Sequence, residues 1–197
     1  MLNKKMTNRQ SQAIKTKNKI YKVSIDLMKK HGFDNVTIQD ISKKAGVSVG
    51  AFYHYFASKS DIFNEIYKQG DEYFQTHVAS NLKGDNSIDK IIDFFAYYAK
   101  FNMSNGIGFV KQLYSTQNKL FIKKGRFMQT LLHEIIQEGQ QKEEITNEFN
   151  YEKITDFLFM LARGVIFDWC LHDGEYNLEE TLSDSMKSIL KIYQTKI

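Results

Sequence analysis

No proline occurs anywhere in this chain of 197 residues. Proline stops helices and marks turns, so a chain without it tolerates long unbroken helices and lacks the punctuation of a β-sandwich or barrel. Glycine, the other common breaker, occurs only 11 times. Along most of the chain apolar residues recur at intervals of three and four rather than two, the period of a helix that buries one face. The expected fold class is all-α.

Composition narrows the classes of function. With 42% hydrophobic and 25% charged residues the chain has the means to build a core, which argues against disorder. No apolar run approaches the roughly 18 residues needed to span a bilayer. The basic, polar stretch Met1–Gln10 has no apolar segment of the kind that directs secretion, and Cys170 is the single cysteine, so no internal disulfide can form. A cytoplasmic protein is expected, without membrane partner, metal or cofactor.

Net charge conceals an asymmetry. Residues 1–60 carry twelve Lys or Arg against three Asp or Glu, whereas the remainder carries fifteen against twenty. One basic end suggests a polyanionic partner, although a Lys-rich solvated helix face would give the same count.

The pattern within that basic end is more specific. A first helix is expected over Thr16–Lys30, with Ile20, Val23, Leu27 and Met28 inward and closure at His31-Gly32. A second should start at Thr37-Ile38-Gln39-Asp40, a Thr cap with an acid three residues on, bury Ile38, Ile41 and Ala45, expose Gln39, Ser42, Lys43 and Lys44, and stop at Gly46. Ser48 can cap a short third helix that buries Phe52 and Phe56. Helix, tight glycine turn and helix over residues 37–56 form a helix-turn-helix. The opposite face of the third helix shows Ser48, Val49, Gly50, Tyr53 and His54. It has no acid to repel phosphate; Gly50 permits close backbone approach, Val49 suits a thymine methyl and Ser48 a base edge. Lys59 is placed for a phosphate, with Ser58-Lys59-Ser60-Asp61 capping the next helix.

The run Ile41-Ser42, Ala45-Gly46-Val47-Ser48, Gly50, Phe52-Tyr53-His54-Tyr55-Phe56, Ser58-Lys59 and Asp61-Ile62 resembles the DNA-binding segment of the TetR/AcrR family of regulators. It differs in Ser42, where the family usually has Ala, and in Ile62, where Leu is common. The resemblance covers roughly 50 residues, and it implies that Ser48, Val49, Gly50 and Tyr53 face bases in double-stranded DNA. It also implies that Thr37, Tyr53, His54 and Lys59 hold phosphates. Tyr55 reads better as a half-buried aromatic, and His54 equally well as an ordinary surface histidine. The basic residues Lys4, Lys5 and Arg9 of an arm over 1–12 are expected to be disordered and non-specific.

The head is expected to occupy residues 1–70 and a helical body residues 71–197. A fourth helix should run from Asp61 to about Ser80 and link the two. Further helices are expected from Ser87, as cap, to Asn102, over Ile107–Tyr114 and over Leu120–Glu138, with a polar loop from Gly139 to Asn150. The helix Tyr151–His172 is apolar on nearly all sides, so it should be buried on all sides. A chain this small covers only one of them, so helices 151–172 and 178–195 are expected to pair with their copies in a homodimer, Ala162 and Gly164 permitting close approach. Phe94, Tyr98, Phe101, Phe109, Tyr114, Phe127, Met160 and Phe167 line either a core or a cavity. For any single one core is the better reading, but the resemblance implies a cavity for a small, mainly apolar effector. Arg163, Asp168 and His133 are candidate polar partners for it, though ordinary salt bridges or surface exposure explain each as well. Filling it would shift the fourth helix and move the heads out of register with successive major grooves.

An enzyme fits poorly. Gly106-Ile107-Gly108 lacks the rest of a dinucleotide loop, His133-Glu134 has no second histidine at zinc-site spacing, and Cys170 sits in an apolar helix. The remaining alternatives are a dimeric helical adaptor and a non-sensing DNA-binding protein without a small-molecule effector. Repressor rather than activator rests on the resemblance.

Overall fold

The computed structural model describes residues 7–115 and 120–195, which form helices and turns with no strand among them, apart from one isolated antiparallel bridge between Ile145 and Gln194. The chain divides into two compact units, one ending at Ile66 and the other starting at Tyr67.

In the first unit, α1 spans Asn8–His31, eight residues longer at its start than the apolar pattern suggests. The signal lies in polar residues. Thr7 and Gln10 form a capping box, the Gln10 N–H donating to Thr7 Oγ1 and the Thr7 N–H to Gln10 Oε1. Arg9 is therefore in the first helical turn, and Lys4 and Lys5 lie outside the described residues. The buried face is Ile20, Tyr21, Ser24, Ile25 and Met28, with Val23 and Leu27 only partly covered. Ser24 is tolerated there because its hydroxyl donates to the Ile20 carbonyl at 2.8 Å.

Helix α2 (Ile38–Ala45) begins with the Thr37–Asp40 capping box. Asp40 accepts from both the hydroxyl and the N–H of Thr37, which hold its carboxyl below the usual carboxylate range. Gly46 ends α2 with φ +66°; its N–H donates to Lys43 and that of Val47 to Ser42, a Schellman stop. A side chain there would be strained, so glycine sets the angle at which α3 leaves. Ser42, expected on the surface, is 3% exposed, facing inward beside Ile41. Helix α3 (Val49–Tyr55) is capped by the Ser48 hydroxyl, which accepts from Ala51, and drives Phe52 and Phe56 into the core with ring centroids 5.7 Å apart.

A 3-10 turn, Lys59–Asp61, leads into α4 (Ile62–Tyr73), which a π-helical turn at Phe74–Val78 continues. Ser58 makes no side-chain cap; instead the Asp61 carboxylate accepts from the Ala57 N–H at 2.8 Å. The two compact units meet along the sequence inside α4.

The second unit contains α5 (Ser87–Asn105), α6 (Ile107–Leu113), α7 (Phe127–Gln141), α8 (Tyr151–Leu171) and α9 (Leu178–Leu190). Asn86 rather than Ser87 caps α5, accepting from Asp89. α5 is the central element: it packs most extensively on α9 and next on α7, burying Ile91, Phe94, Phe95 and Ala99 completely. Leu120–Ile122, expected to open a long helix, is a separate 3-10 turn, and α7 starts only at Phe127 after Gly125 at φ +79°.

The stretch expected as a polar loop is tied down. α7 continues through Gly139, where a Cβ would lie 2.7 Å from both Ile145 Cδ1 and Ser87 Cβ, so only glycine lets these segments meet. Ile145 is fully buried, the Thr146 N–H donates to the Tyr193 carbonyl, and Gln140 Nε2 donates to the carbonyls of Thr146 and Phe149. No described helix is long and apolar enough to cross a membrane.

Candidate nucleic-acid interface

Two turns of helix carry the residues singled out in the head. Phe52 is fully buried and Phe56 3% exposed, so the other side of α3 faces outward: Val49 is 36% and Tyr53 52% exposed, and Ser48, Gly50 and His54 are exposed beside them. The structure thus gathers Ser48, Val49, Gly50, Tyr53 and His54 on one surface without an acidic residue among them. Tyr55 is half-buried and Thr37 is exposed at the start of α2. Among the described residues nothing presses on Gly50; the nearest atom to a Cβ there is Ser48 Oγ at 3.8 Å. The space its missing side chain leaves therefore faces outward.

Lys59 is engaged inside the head. Its Nζ donates to the carbonyls of Phe33 and Val36 at 2.6 and 2.9 Å and lies 4.2 Å from the centre of the Phe33 ring, which itself stacks on Phe63. The ammonium pins the α1–α2 connection, the segment that delivers Thr37, to the turn after α3. Two of its three protons are used, leaving one for an outside acceptor. Charge-assisted bonds of this kind each contribute on the order of 1.5–3 kcal/mol when shielded, less when partly exposed as here. Lys59→Met is accordingly expected to lower the unfolding free energy of the head by about 1–3 kcal/mol. Urea titration followed by hydrogen exchange of α2 amides checks this; unchanged protection would remove the staple.

Lys19 was not singled out from sequence. Packing of α1 on α2 brings its Nζ to 3.6 Å from where a Gly46 Cβ would stand, placing a cation beside the helix-turn-helix joint. Only tertiary contact reveals it. Nearby, Lys17 pairs with Glu65 at 2.5 Å and thereby ties α1 to α4.

The body separates the aromatics expected to lie together. Phe94 and Tyr98 of α5 are buried among Phe74, Phe95 and Phe159, with centroid separations of 4.8–6.3 Å. Tyr114, at the end of α6, joins them through a 3.2 Å hydrogen bond between its hydroxyl and that of Tyr98. Phe109 is fully buried, Phe101 stacks on Tyr73, and Phe127 is half-covered at the start of α7. Met160 and Phe167 go elsewhere. They are 60% and 49% exposed on the outer face of α8, because that helix turns Ile154, Leu158, Phe159, Ala162 and Ile166 inward instead. Neither lines the interior of its own chain.

None of the expected polar partners is hydrogen-bonded to the tyrosine pair. Asp168 accepts from Tyr176, the His133 ring packs on Tyr151, and Arg163 sits 6.0 Å from the centre of the Phe121 ring. Cys170 is buried, and burial pushes its thiol up to about 11. No group of three or more His, Cys, Asp and Glu among the described residues could hold a metal ion.

Two family profiles match, between them over well more than half of the chain. Residues 20–66 match that of bacterial regulatory proteins of the tetR family, and residues 110–192 that of the C-terminal region of YsiA-like protein. The chain belongs to the TetR family. This TetR-family chain is 23% identical over 197 residues to the Escherichia coli K12 protein named "Probable acrEF/envCD operon repressor", covering 93% of this chain and 89% of that one. It is 22% identical over 180 residues to the fatty acid metabolism regulator protein of Bacillus subtilis, covering 87% and 91%. Its fold matches that of Thermus thermophilus FadR, a TetR-family transcriptional repressor solved in complex with lauroyl-CoA, with a TM-score of 0.65 and 16% identity over 88% of this chain and 93% of that one. As a TetR-family protein the chain is a DNA-binding transcriptional regulator.

Proposed function

We propose that this regulator is a repressor which binds a palindromic operator as a homodimer and leaves it on binding a mainly apolar small molecule. The observation that carries the reading is the exposed, acid-free face of α3, held on its far side by Phe52 and Phe56 and set at a fixed angle by the Gly46 stop. Ser48, Val49, Gly50 and Tyr53 meet base edges, while Thr37, His54 and the third proton of Lys59 meet phosphates. Lys19 adds a further cation.

The homodimer reading is supported by the outer face of α8. Phe157, Met160, Gly164, Phe167 and Leu171 alternate at spacings of three and four, all exposed, with nothing among the described residues within 4 Å of a Cβ built on Gly164. That spacing is the seam of paired helices. Residues 178–195, with Ile192 61% exposed, would complete a four-helix contact. The effector reading is supported by the aromatic interior around α5 and by the lauroyl-CoA complex of the Thermus thermophilus protein. Such a molecule induces only if it binds the DNA-free state more tightly.

Selection of bound sequences from a random pool tests the reading. Enrichment of two inverted half-sites at a fixed spacing is expected; enrichment of no sequence, or of a single asymmetric site, would overturn it. On the selected site, Tyr53→Ala is expected to weaken binding at least about tenfold, the loss of one good base or phosphate contact. For Lys59→Met the slope of log affinity against log salt separates two roles. A phosphate ligand lost from both protomers reduces it by about two, a pure staple leaves it unchanged.

A further inference from the structure

The Tyr98 and Tyr114 hydroxyls form an incomplete pair. Each phenol has one proton to donate, yet a single 3.2 Å hydrogen bond joins them, so one proton is used and the other has no acceptor among the described residues. Among the described residues neither hydroxyl has another hydrogen-bond partner. Tyr98 is 5% and Tyr114 9% exposed, and their surroundings are aromatic: Phe74, Phe95 and Phe159 around Tyr98, Phe121 at 4.6 Å from Tyr114. Asn102, one turn further along α5, donates its Nδ2 to the Tyr98 carbonyl at 2.8 Å, and its Oδ1 accepts from neither hydroxyl. A buried donor without an acceptor is costly enough that native interiors seldom keep one.

What completes the pair must bring an acceptor, and the charges nearby restrict its kind. Arg126 is paired with Asp71 and lies over the Tyr67 ring, Arg163 lies 6.0 Å from the centre of the Phe121 ring, and neither donates to the hydroxyl pair. A carboxylate at the hydroxyl pair would therefore be buried without a counter-ion in contact. Burial and the neighbouring Tyr98 raise the Tyr114 phenol well above its ordinary range, so it remains a neutral donor.

We propose that the Tyr98–Tyr114 hydroxyl pair is the polar anchor of the effector, and that it selects an otherwise apolar molecule bearing one uncharged carbonyl, such as an ester or thioester. The inference rests on the reading of the body as an effector-binding unit. It assigns the polar recognition to Tyr98 on α5 and Tyr114 just after α6, which the sequence marked only as core or cavity lining.

The test uses the full-length protein with straight-chain fatty-acid methyl esters, the corresponding free acids and alkanes of matched length, binding being followed by Trp169 fluorescence and by release from the selected DNA. Wild type is expected to bind the esters at least about tenfold more tightly than the alkanes, the worth of one good hydrogen bond in a dry site. Tyr98→Phe and Tyr114→Phe should each lose that preference and keep the alkane affinity. Without ligand, each variant loses the one hydroxyl–hydroxyl bond and still leaves a single unpaired proton, so its melting temperature should fall only slightly. Ester preference retained in both variants overturns the anchor and leaves the effector reading intact. Tighter binding of the free acids overturns the selection of an uncharged group, and equal binding of esters and alkanes by wild type overturns the anchor even if a variant fails to fold. If wild type binds none of the probes, the reading and the anchor fall together.

Discussion

Phe52→Ala is expected to abolish DNA binding by melting the head. Phe52 has no exposed surface and touches Phe56 and Tyr53 at centroid distances of 5.7 and 5.8 Å, so truncation leaves a cavity where α3 meets the rest of the unit. A buried Phe→Ala change costs about 3–5 kcal/mol. A unit of this length has a net stability of the order of 3–9 kcal/mol, at roughly 0.05–0.15 kcal/mol per residue. The loss is thus comparable to everything the head has. Amide hydrogen exchange should show α2 and α3 unprotected while α5, α8 and α9 stay protected. If α2 and α3 keep their protection and operator affinity changes by less than threefold, the account of how α3 is held is wrong. Tyr53→Ala, one residue on but half exposed, makes the contrast: operator affinity should drop with the head still folded.

The second large effect concerns assembly. Phe167→Glu, alone or with Met160→Glu, should convert a dimer into a monomer. Burying a large apolar side chain contributes about 1.5–3 kcal/mol, and a twofold axis counts it twice. Phe167 is 49% exposed in its own chain, so one substitution removes about 1.5–3 kcal/mol before any penalty for a desolvated carboxylate, which is about one to two orders of magnitude in the dimer dissociation constant. Both residues are largely exposed on the outer face of α8, so circular dichroism should be unchanged. Sedimentation equilibrium at micromolar concentration should report one chain for the variant and two for the parent. A parent that sediments as a monomer, or a variant that remains a dimer, would remove α8 as the contact. Loss of the dimer should also reduce operator binding to that of a single half-site, since one α3 reads only a few base pairs.

Much of the head was legible because its signals are local. Thr37-Ile38-Gln39-Asp40, Gly46 and Ser48 act through bonds to residues three or four positions away, and the structure shows these caps and stops at the expected places. The alternation that sends Phe52 and Phe56 inward and Val49 and Tyr53 outward follows from the helical period alone. The start of α1 was missed for the converse reason: its signal is a polar box at Thr7–Gln10, and a search for apolar periodicity passes over it. Ser42 shows the limit of residue type as a guide, since a hydroxyl small enough to fit was buried beside Ile41 where polarity had suggested the surface.

The body was legible only in outline. The absence of proline and the three-and-four periodicity determined an all-helical chain, and the apolar excess of residues 151–172 determined that α8 had two faces to cover. Neither decides which residue goes to which face, because that depends on where α5, α7 and α9 lie against the helix. The tertiary structure made that choice: it turned Met160 and Phe167 out to the surface, closed Phe94 into the core, and brought Tyr98 and Tyr114, sixteen residues apart, within one hydrogen bond. It also withdrew most of the Lys59 ammonium from solvent into two carbonyls of the α1–α2 connection, contacts 23 and 26 residues distant. Period and capping are properties of neighbouring residues, so the sequence carries them openly. Facing and pairing are properties of packing, and they exist only once the helices have met.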